Sequence, residues 1–367
     1  MNSTTILSLL LPVVAFSSAC KKDKAKDTPT DTKAKATPKV QNSKPTSEAP
    51  PIVAEPAKAE WTGDDTAKAM QDCWTAFNAK DEAAFVGCYA DDADFVYVDF
   101  APAMVMKGAQ AIGGVIKMWW GAFPDANASA QLLLVNKENF ASIVLMTQTN
   151  TGEKGMMPPT GKKVIAFEAQ VGSLNAVGKI AADHHFSDQS TMAHQMGMFP
   201  SERSPDSETA WPEQRVVVAK DDDKERANLE TIKGLGSLVD ASDVDGILAA
   251  VADDVEFRYV GDKTTYANKA DYEKGMKEYM AMVKVTGRDV TSAWAAGDWV
   301  FTVSNVSVEL LTDMPGAEGS KGKPVKTTQT EFFMLNEGKI QKHWIFENSL
   351  QYPIQLGMID PSKMGAH

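Results

Sequence analysis

The sequence predicts an α+β fold with two tandem cone-shaped domains, each with N-terminal helices packed in a curled antiparallel sheet. One observation is a repeat: the segments 178–180 (Gly-Lys-Ile) and 195–197 (Gln-Met-Gly) recur as 338–340 (Gly-Lys-Ile) and 355–357 (Gln-Leu-Gly). A repeat at about one domain length indicates two copies of one fold. The other observation is order, because in both halves the predicted helices precede most of the predicted strands, as in α+β domains.

Length and composition agree with two globular domains and exclude one class of partner. The chain has 367 residues, of which 43% are hydrophobic, enough for two cores. Its net charge of -12 marks it as an acidic protein and argues against nucleic-acid binding, because no basic surface would neutralise phosphates. The predicted organisation is a signal peptide (1–20), a disordered tether (21–60), domain 1 (61–200), a linker (201–214) and a divergent domain 2 (215–360).

The amino terminus has the pattern of an export signal. Residues 6–16 are apolar but too few to span a bilayer, which is typical of the core of a signal peptide. They end in Ser17-Ser18-Ala19-Cys20, which resembles the lipobox of bacterial lipoproteins, in which the cysteine is lipidated. No Lys or Arg precedes the apolar run, so an ordinary cleaved signal or an uncleaved apolar start stays open. The tether that follows lacks aromatic residues and cannot form a core.

This leader predicts an address in the bacterial cell envelope. The protein would be anchored in a membrane by a lipid on Cys20 and would face the periplasm or the cell surface.

Domain 1 is predicted from helical and strand periodicity. Apolar residues at three- and four-residue spacing indicate the first and third helices, and alternation with glycine and proline boundaries indicates the strands. The apolar inside of such a cone is both core and candidate ligand cavity. The predicted helices are 64–78, 82–89 and 108–123, and the predicted strands are 95–98, 128–136, 141–150, 164–172 and 179–187.

Seven short motifs follow one another along domain 1. They are Ala90-Asp91-Asp92, Gly108 with Ile112, 123–125 (Phe-Pro-Asp), 158–162 (Pro-Pro-Thr-Gly-Lys), 178–180, Asp188 and 195–197. In this order they resemble the SnoaL-like polyketide cyclase and ester cyclase family, in the nuclear transport factor 2-like superfamily, over about Thr62 to Met198. The resemblance implies a cofactor-free enzyme in which one aspartate on the last strand moves a proton during aldol ring closure. That position is Asp188.

Asp188 and His184 are the candidate catalytic residues. Alternation along the predicted last strand places His184, Phe186 and Asp188 on one mostly apolar face, where a carboxyl group at the rim would suit a proton shuttle. His185 would then point to the surface. The alternatives are that Asp188 accepts a backbone N–H in the following turn, and that His184 is a hydrogen-bonded, partly buried histidine.

Other side chains are candidates for the wall of a pocket. Glu168 and Gln170 share one face of the preceding strand, but alternation does not decide whether that face points inward. The adjacent polar residues at 183–185 point to opposite faces, so no metal site is predicted. The candidate wall residues are Phe186, Trp119, Trp120, Trp344 and Asn348.

Cys73 and Cys88 lie on adjacent predicted helices. In an exported protein they could form a disulfide, and two buried free thiols are the alternative.

Domain 2 repeats the pattern with changes. Trp344 restores the aromatic residue usual in the family at the position of His184, but Asn348 replaces the aspartate, and an amide cannot shuttle a proton. Glu347 is one residue out of step and is predicted to face the opposite side of the sheet. This domain is therefore predicted to be structural, ligand-binding or a dimer partner. Its predicted helices include 221–239 and 269–283, and its strands are 300–311, 326–335 and 339–347.

Two functions remain open at this stage. The first is an exported protein whose domain 1 binds a small apolar or aromatic molecule and performs cofactor-free acid/base chemistry as a cyclase or isomerase. The second is a non-catalytic envelope lipoprotein that uses both cones for binding or assembly. The domains could also pair through their sheets as an internal pseudo-dimer, or two chains could pair as a homodimer.

Overall fold

The computed structural model describes residues 61–97, 104–153, 158–197, 210–211, 213–260, 265–314, 316–347 and 351–358. The predicted signal peptide, Cys20, the tether, most of the linker and Asn348 lie outside these residues. Within the described residues, no helix is long and apolar enough to cross a membrane.

Domain 1 begins with helices and continues into a sheet, as predicted. Its helices are α1 (Gly63–Ala79), α2 (Glu82–Gly87), α3 (Ala109–Ala122) and α4 (Gln189–Gln195). Its strands are β1 (Tyr89–Tyr97), β2 (Met104–Lys107), β3 (Asn127–Asn136), β4 (Asn139–Thr149), β5 (Lys163–Leu174), β6 (Ile180–Ser187) and β7 (Arg215–Val218).

Local sequence signals explain where α1 begins and ends. Thr62 and Asp65 form a capping box: Thr62 Oγ1 accepts the Asp65 backbone N–H, and the Thr62 backbone N–H donates to Asp65 Oδ2 at 2.9 Å. The helix ends at Lys80, whose left-handed backbone (φ 57°) stops propagation. Met70 and Trp74 on its apolar face are buried, so α1 packs into the concave side of the sheet.

The sheet of domain 1 has the order β2-β1-β6-β5-β4-β3-β7 and is mainly antiparallel. Two pairs are parallel, β1 with β6 and β3 with β7. Strand β7, at 215–218, extends the sheet of domain 1, although the sequence places it at the start of domain 2.

Domain 2 repeats this architecture. Its sheet has the order β10 (Val283–Ala296), β11 (Trp299–Leu310), β12 (Pro324–Asn336), β13 (Lys339–Glu347), β8 (Val251–Tyr259) and β9 (Thr265–Tyr266), and its one parallel pair, β8 with β13, corresponds to β1 with β6. The α+β prediction with two tandem domains is therefore confirmed. The helices of domain 2 are α5 (Asp223–Asp240), α6 (Val244–Ala250), α7 (Lys269–Met282) and α8 (Gln351–Gln355).

One apolar cluster contains residues from both sheets. Phe167 and Phe186 of domain 1 lie in the same buried cluster as Trp299, Phe332 and Trp344 of domain 2. The rings of Phe167 and Trp344 meet edge to face, with 5.3 Å between centroids, and the Arg258 guanidinium lies 4.8–4.9 Å from the centroid of each. The convex faces of the two sheets therefore bury a common apolar layer, called here the inter-sheet cluster.

Candidate functional site

A cavity lies between the helices and the sheet of domain 1. Its volume is about 70 Å³, room for about two water molecules or one small organic group. Aromatic and methionine side chains make up much of its wall, and methionine can repack around a larger guest. The aromatic residues on the wall are Trp74, Phe77, Phe85, Tyr89, Phe95, Tyr97, Trp119 and Phe167.

Polar side chains converge at the inner end of this cavity. Strand β6 contributes Asp183 and His185, and their Oδ2 and Nε2 atoms are 3.1 Å apart. The N–O distance is that of an ion pair, but the angle at His185 Nε2 does not meet the geometry of a hydrogen bond. Glu168 on β5 places Oε1 3.7 Å from His185 Nδ1, so one imidazole lies between two carboxylates.

Neighbouring side chains hold this polar group in place. Tyr89 donates its hydroxyl hydrogen to Asp183 Oδ2 at 2.8 Å, and Gln170 Nε2 donates to Glu168 Oε1 at 3.0 Å. Trp74 Nε1 donates to Gln170 Oε1 at 3.0 Å. Side chains from α1, β1, β5 and β6 are thereby joined in one network, called here the Asp183–His185 cluster: Asp183, His185, Glu168, Gln170, Tyr89 and Trp74.

The environment of His185 favours its charged form. Burial alone would lower the pKa of His185, but the carboxylates of Asp183 and Glu168 outweigh this effect and raise the pKa to about 10. Its ring also stacks on Phe95, with 4.4 Å between centroids. The two carboxylates thus favour the imidazolium form of His185 at neutral pH.

One oxygen of Asp183 is buried without a hydrogen-bond partner in the described part of the chain. The residue is 2% exposed, yet Oδ1 has no hydrogen-bond partner among the described residues. An unsatisfied buried acceptor is costly, and such atoms in native proteins call for an explanation. Because Asp183 lines the cavity, a bound molecule with a hydrogen-bond donor would satisfy this oxygen.

The predicted faces of the last strand were wrong. His185, predicted to be on the surface, is buried beside the cavity, whereas His184 and Phe186 are not among the lining residues. Phe186 lies instead in the inter-sheet cluster. The reason is that the strand ends at Ser187 and Asp188 belongs to the following turn, so counting alternation back from Asp188 gives the opposite parity.

Asp188 does line the cavity, next to Ser187. It is also the N-cap of α4, where its Oδ1 accepts the Thr191 backbone N–H at 2.9 Å. The turn hydrogen bond considered as an alternative is therefore present, and it is compatible with a place on the cavity wall.

The predicted wall residues divide between different surfaces. Trp119 lines the cavity and donates from Nε1 to Gln148 Oε1 at 2.9 Å. Trp120 does not line it and packs against Phe77 and Phe85, because successive residues of α3 point about 100° apart. Trp344 lies in the inter-sheet cluster, so its assignment to a pocket was wrong.

Cys73 and Cys88 are free thiols in the structure, and they interact with each other. Cys73 lines the cavity, where burial raises the pKa of its thiol. A hydrogen bond from Cys73 lowers the pKa of Cys88. The disulfide between them stays a prediction.

Within the described residues, no group of three or more His, Cys, Asp or Glu side chains is arranged to hold a metal ion. The chemistry that the Asp183–His185 cluster offers is that of its ion pairs and hydrogen bonds.

Comparison with protein families identifies both halves of the chain. Residues 64–196 match the model of the SnoaL-like polyketide cyclases, and residues 235–343 match a second model described as a SnoaL-like domain. The chain belongs to this family and contains two SnoaL-like domains in tandem. No curated protein matches the chain.

Solved structures resemble single domains of this chain. A structure described as a SnoaL-like polyketide cyclase from Jannaschia sp. CCS1 is 12% identical, with a TM-score of 0.35, over 40% of this chain and 100% of that one. IdmH from Streptomyces antibioticus, described as a polyketide cyclase, is 18% identical, with a TM-score of 0.31, over 35% and 98% of the two chains.

The second SnoaL-like domain has a related cluster, in which a histidine stands at the position of the aspartate of domain 1. In the repeat, His343 takes the place of Asp183 on the last strand, and Glu331 takes the place of Gln170 on the preceding strand. Glu331 Oε2 and His343 Nε2 are 2.8 Å apart, and the imidazole stacks on Phe333 with 4.2 Å between centroids. A carboxylate–imidazole pair is thus present in both domains.

An arginine extends the cluster of the second SnoaL-like domain. Arg288 Nη1 lies 3.8 Å from Glu331 Oε1, and its Nε donates to Asp240 Oδ1 at 3.0 Å. Its side chain passes beside Gly236, since a Cβ added to this glycine would lie 3.7 Å from Arg288 Cδ. In the repeat, Gly236 occupies the position of Trp74 of domain 1. An ion-paired network therefore occupies the region where domain 1 places the Trp74 indole.

Glu347 faces the interior of the second SnoaL-like domain, which corrects the predicted face. Its neighbours Trp344 and Phe346 lie in the inter-sheet cluster, and alternation therefore turns Glu347 inward. Burial and the nearby charge of Glu331 raise the pKa of Glu347 to about 7, although a hydrogen bond with Tyr259 opposes them. An ionisable carboxyl group is therefore present one residue before Asn348.

Replacing Glu347 by glutamine is expected to stabilise the protein at alkaline pH. The folded pKa of about 7 lies above the ordinary 4.5, so the favourable contribution of the neutral acid is complete below pH 4.5 and is lost as the pH rises through 7. Glu347→Gln should raise the free energy of unfolding at pH 8 by up to about 3 kcal/mol, with little change at pH 5. Chemical denaturation at both pH values measures this.

The control is the exposed Glu318→Gln, for which no change is expected at either pH. A stabilisation by Glu347→Gln that is equal at pH 5 and pH 8 would contradict the raised pKa.

The sequence did contain a signal for the Asp183–His185 cluster. Polar residues occur at 183–185 and at Glu168 and Gln170, within two otherwise apolar strands. The register of β5 and β6 pairs Gln170 with His185, which places their side chains on one face. That register requires the position of the turn between the strands, and alternation within a single strand does not provide it.

Proposed function

We propose that domain 1 binds a small apolar or aromatic molecule in its cavity and performs cofactor-free acid/base chemistry on it. The observation that carries this proposal is the buried ion pair of Asp183 and His185 at the end of an aromatic cavity, with Asp183 Oδ1 unpartnered among the described residues. A structural ion pair alone would not require an open acceptor beside a cavity.

The proposed chemistry is removal of a proton from a carbon acid. Asp183 Oδ1 is the base, the charged His185 imidazole supplies positive charge near the place where negative charge develops, and the Tyr89 hydroxyl, which donates to Asp183 Oδ2, orients the carboxylate. Burial and the charge of Asp183 raise the pKa of Tyr89 well above its ordinary value, so the phenol stays protonated. Asp183, which is the neutral acid after this step, returns the proton to the substrate carbon or exchanges it with solvent, and Asp188 is a second carboxylate on the wall of the same cavity.

Exchange of the α-protons of cyclopentanone for deuterium tests this chemistry, because the reaction needs a base and a small ring. The full chain in D₂O at neutral pD is expected to accelerate the exchange over buffer, as followed by proton NMR. Asp183→Asn should return the rate to that of buffer. Asp188→Asn, which keeps a side chain able to cap α4, should reduce the rate less.

The matched control for this experiment is Asp72→Asn, an exposed carboxylate paired with Lys68 on the outside of α1, which should leave the rate unchanged. Absence of acceleration by the unaltered protein would contradict acid/base chemistry and leave ligand binding as the function of the cavity.

Ligand binding without catalysis is the second candidate function. What favours it is that Asp188, the residue at the catalytic position implied by the family, is engaged as the cap of α4. Binding of a small molecule with no acceleration of the exchange reaction would support this function. For both candidate functions we also propose that the protein is located in the cell envelope and is anchored by a lipid on Cys20.

We also propose that the two SnoaL-like domains form an internal pseudo-dimer through their sheets. Support comes from the inter-sheet cluster, to which both sheets contribute aromatic residues. Pairing within the chain would cover apolar sheet faces that two separate chains would otherwise have to bury against each other.

A further inference from the structure

Acidic side chains outnumber basic ones on the wall of the domain 1 cavity. Three carboxylates line it, those of Glu168, Asp183 and Asp188, against the single imidazole of His185. No lysine or arginine is among the described residues of the lining. Even with His185 charged, the wall therefore carries an excess of negative charge.

Burial makes this excess effective. Asp183 is 2% exposed and the Glu168 side chain 13% exposed, so water screens these charges less than it screens surface carboxylates. An anionic guest would meet like charge in a poorly hydrated space, which costs binding energy. A cationic guest would gain Coulomb energy from the same groups.

The rest of the wall suits a cation as well. Phe95, Tyr97 and Trp119 border the cavity, and the faces of aromatic rings attract ammonium groups. The unpartnered Asp183 Oδ1 accepts hydrogen bonds, and an ammonium group carries only donors. The charge of the wall, its aromatic rings and the unpartnered Asp183 Oδ1 thus favour the same chemical class of guest.

We propose that the ligand of domain 1 is a small protonated amine carrying an apolar or aromatic group, with its ammonium directed to Asp183. This inference rests on the proposed ligand binding by the cavity and, because it gives Asp183 Oδ1 to the ammonium group, it applies to the binding function and not to catalysis with Asp183 as the base. The volume of about 70 Å³ encloses an ammonium group with a short carbon chain, and a whole ring requires the methionine side chains of the wall to repack.

Three probes of similar shape and different charge test the proposal: benzylamine, benzyl alcohol and benzoate. Isothermal titration calorimetry with the full chain at pH 7.5 should show benzylamine binding at least about tenfold more tightly than benzyl alcohol. Benzoate should show no binding. Asp183→Asn should weaken the binding of benzylamine about tenfold or more and that of benzyl alcohol by less, so that the preference for the amine is lost.

Asp188→Asn provides a second variant in case the loss of Asp183 unfolds domain 1. It keeps a side chain that can cap α4, and it should weaken the binding of benzylamine about threefold or more and lower the ratio of the benzylamine affinity to the benzyl alcohol affinity. The exposed Asp72→Asn is the control and should change neither affinity.

The outcomes separate the two proposals. If benzyl alcohol binds as tightly as benzylamine, or more tightly, the inference about charge is overturned while the cavity remains a binding site. If benzoate binds best, the sign of the inference is wrong. If none of the three probes binds, both this inference and ligand binding by the cavity are contradicted.

Discussion

Replacing Asp183 by asparagine is expected to lower the free energy of unfolding by about 3 kcal/mol at pH 7, because the buried His185 cation loses its nearest carboxylate. The two side chains are 8% and 2% exposed, so water cannot replace the lost interaction. Chemical denaturation monitored by tryptophan fluorescence measures the change, since Trp74 belongs to the same cluster.

The size of this effect depends on burial, which a matched substitution tests. Asp72→Asn removes the carboxylate from an exposed ion pair with Lys68, whose side chains are 65% and 72% exposed. Exposed pairs contribute between about 0 and 1 kcal/mol. Equal, small effects of both substitutions would show that Asp183 does not stabilise a charged His185.

Replacing Trp344 by alanine is expected to cost about 3–5 kcal/mol of stability, the range for removing a large buried aromatic residue. Trp344 contacts Phe167 across the inter-sheet cluster and also meets Trp211, at 5.3 and 5.1 Å between ring centroids. Its Nε1 donates to Glu256 Oε1 at 3.1 Å. Chemical denaturation of the full chain measures the loss, and Trp344→Phe should retain part of the packing and lose less.

The same substitution separates packing from ligand binding. Trp344 belongs to domain 2 and does not line the cavity, although it packs on Phe167, which does. Trp344→Ala should therefore change the benzylamine affinity of the folded protein by no more than about twofold. A strong loss of affinity in a protein that is still folded would restore Trp344 to the binding site, where the sequence had placed it.

The fold was largely predictable because its signals are local or repeated. The helix predicted over 64–78 forms as Gly63–Ala79, since one apolar stripe and a capping box specify it. Strand β13 has the predicted bounds of 339–347. Both second-copy glycines, Gly338 and Gly357, have the same left-handed backbone as Gly178 and Gly197, which explains why these turns repeat.

The elements that prediction missed depend on tertiary pairing. Strand β10 at 283–296 lies at the edge of its sheet and has little alternation in burial, so its own sequence barely marks it as a strand. Residues 215–218 become a strand only by pairing with β3 of domain 1. The segment 90–92, predicted to end a helix, is part of β1, because the parallel pairing with β6 overrides its turn-like composition.

The site was predicted less well than the fold, although the correct strand was identified. Asp188 lines the cavity, but the deeper groups, Asp183 and His185, were assigned to the wrong roles or faces. An error of one residue in the predicted end of a strand assigns every side chain of that strand to the wrong face of the sheet. The ends of helices and strands predicted from one sequence are uncertain by at least one residue. An error of that size does not change whether a segment is predicted to be a helix or a strand.

A pH titration of His185 tests the central claim, that domain 1 buries a charged imidazole between two carboxylates beside its cavity. Heteronuclear NMR of the ring nitrogens, with His185→Gln to assign the signal, follows its protonation. We expect His185 to stay charged through pH 8 and to titrate near 10, with the stability it provides complete below pH 6.5 and lost as the pH rises toward 10. A titration near 6.5, the ordinary value for histidine, would contradict the ion pair and the site built on it.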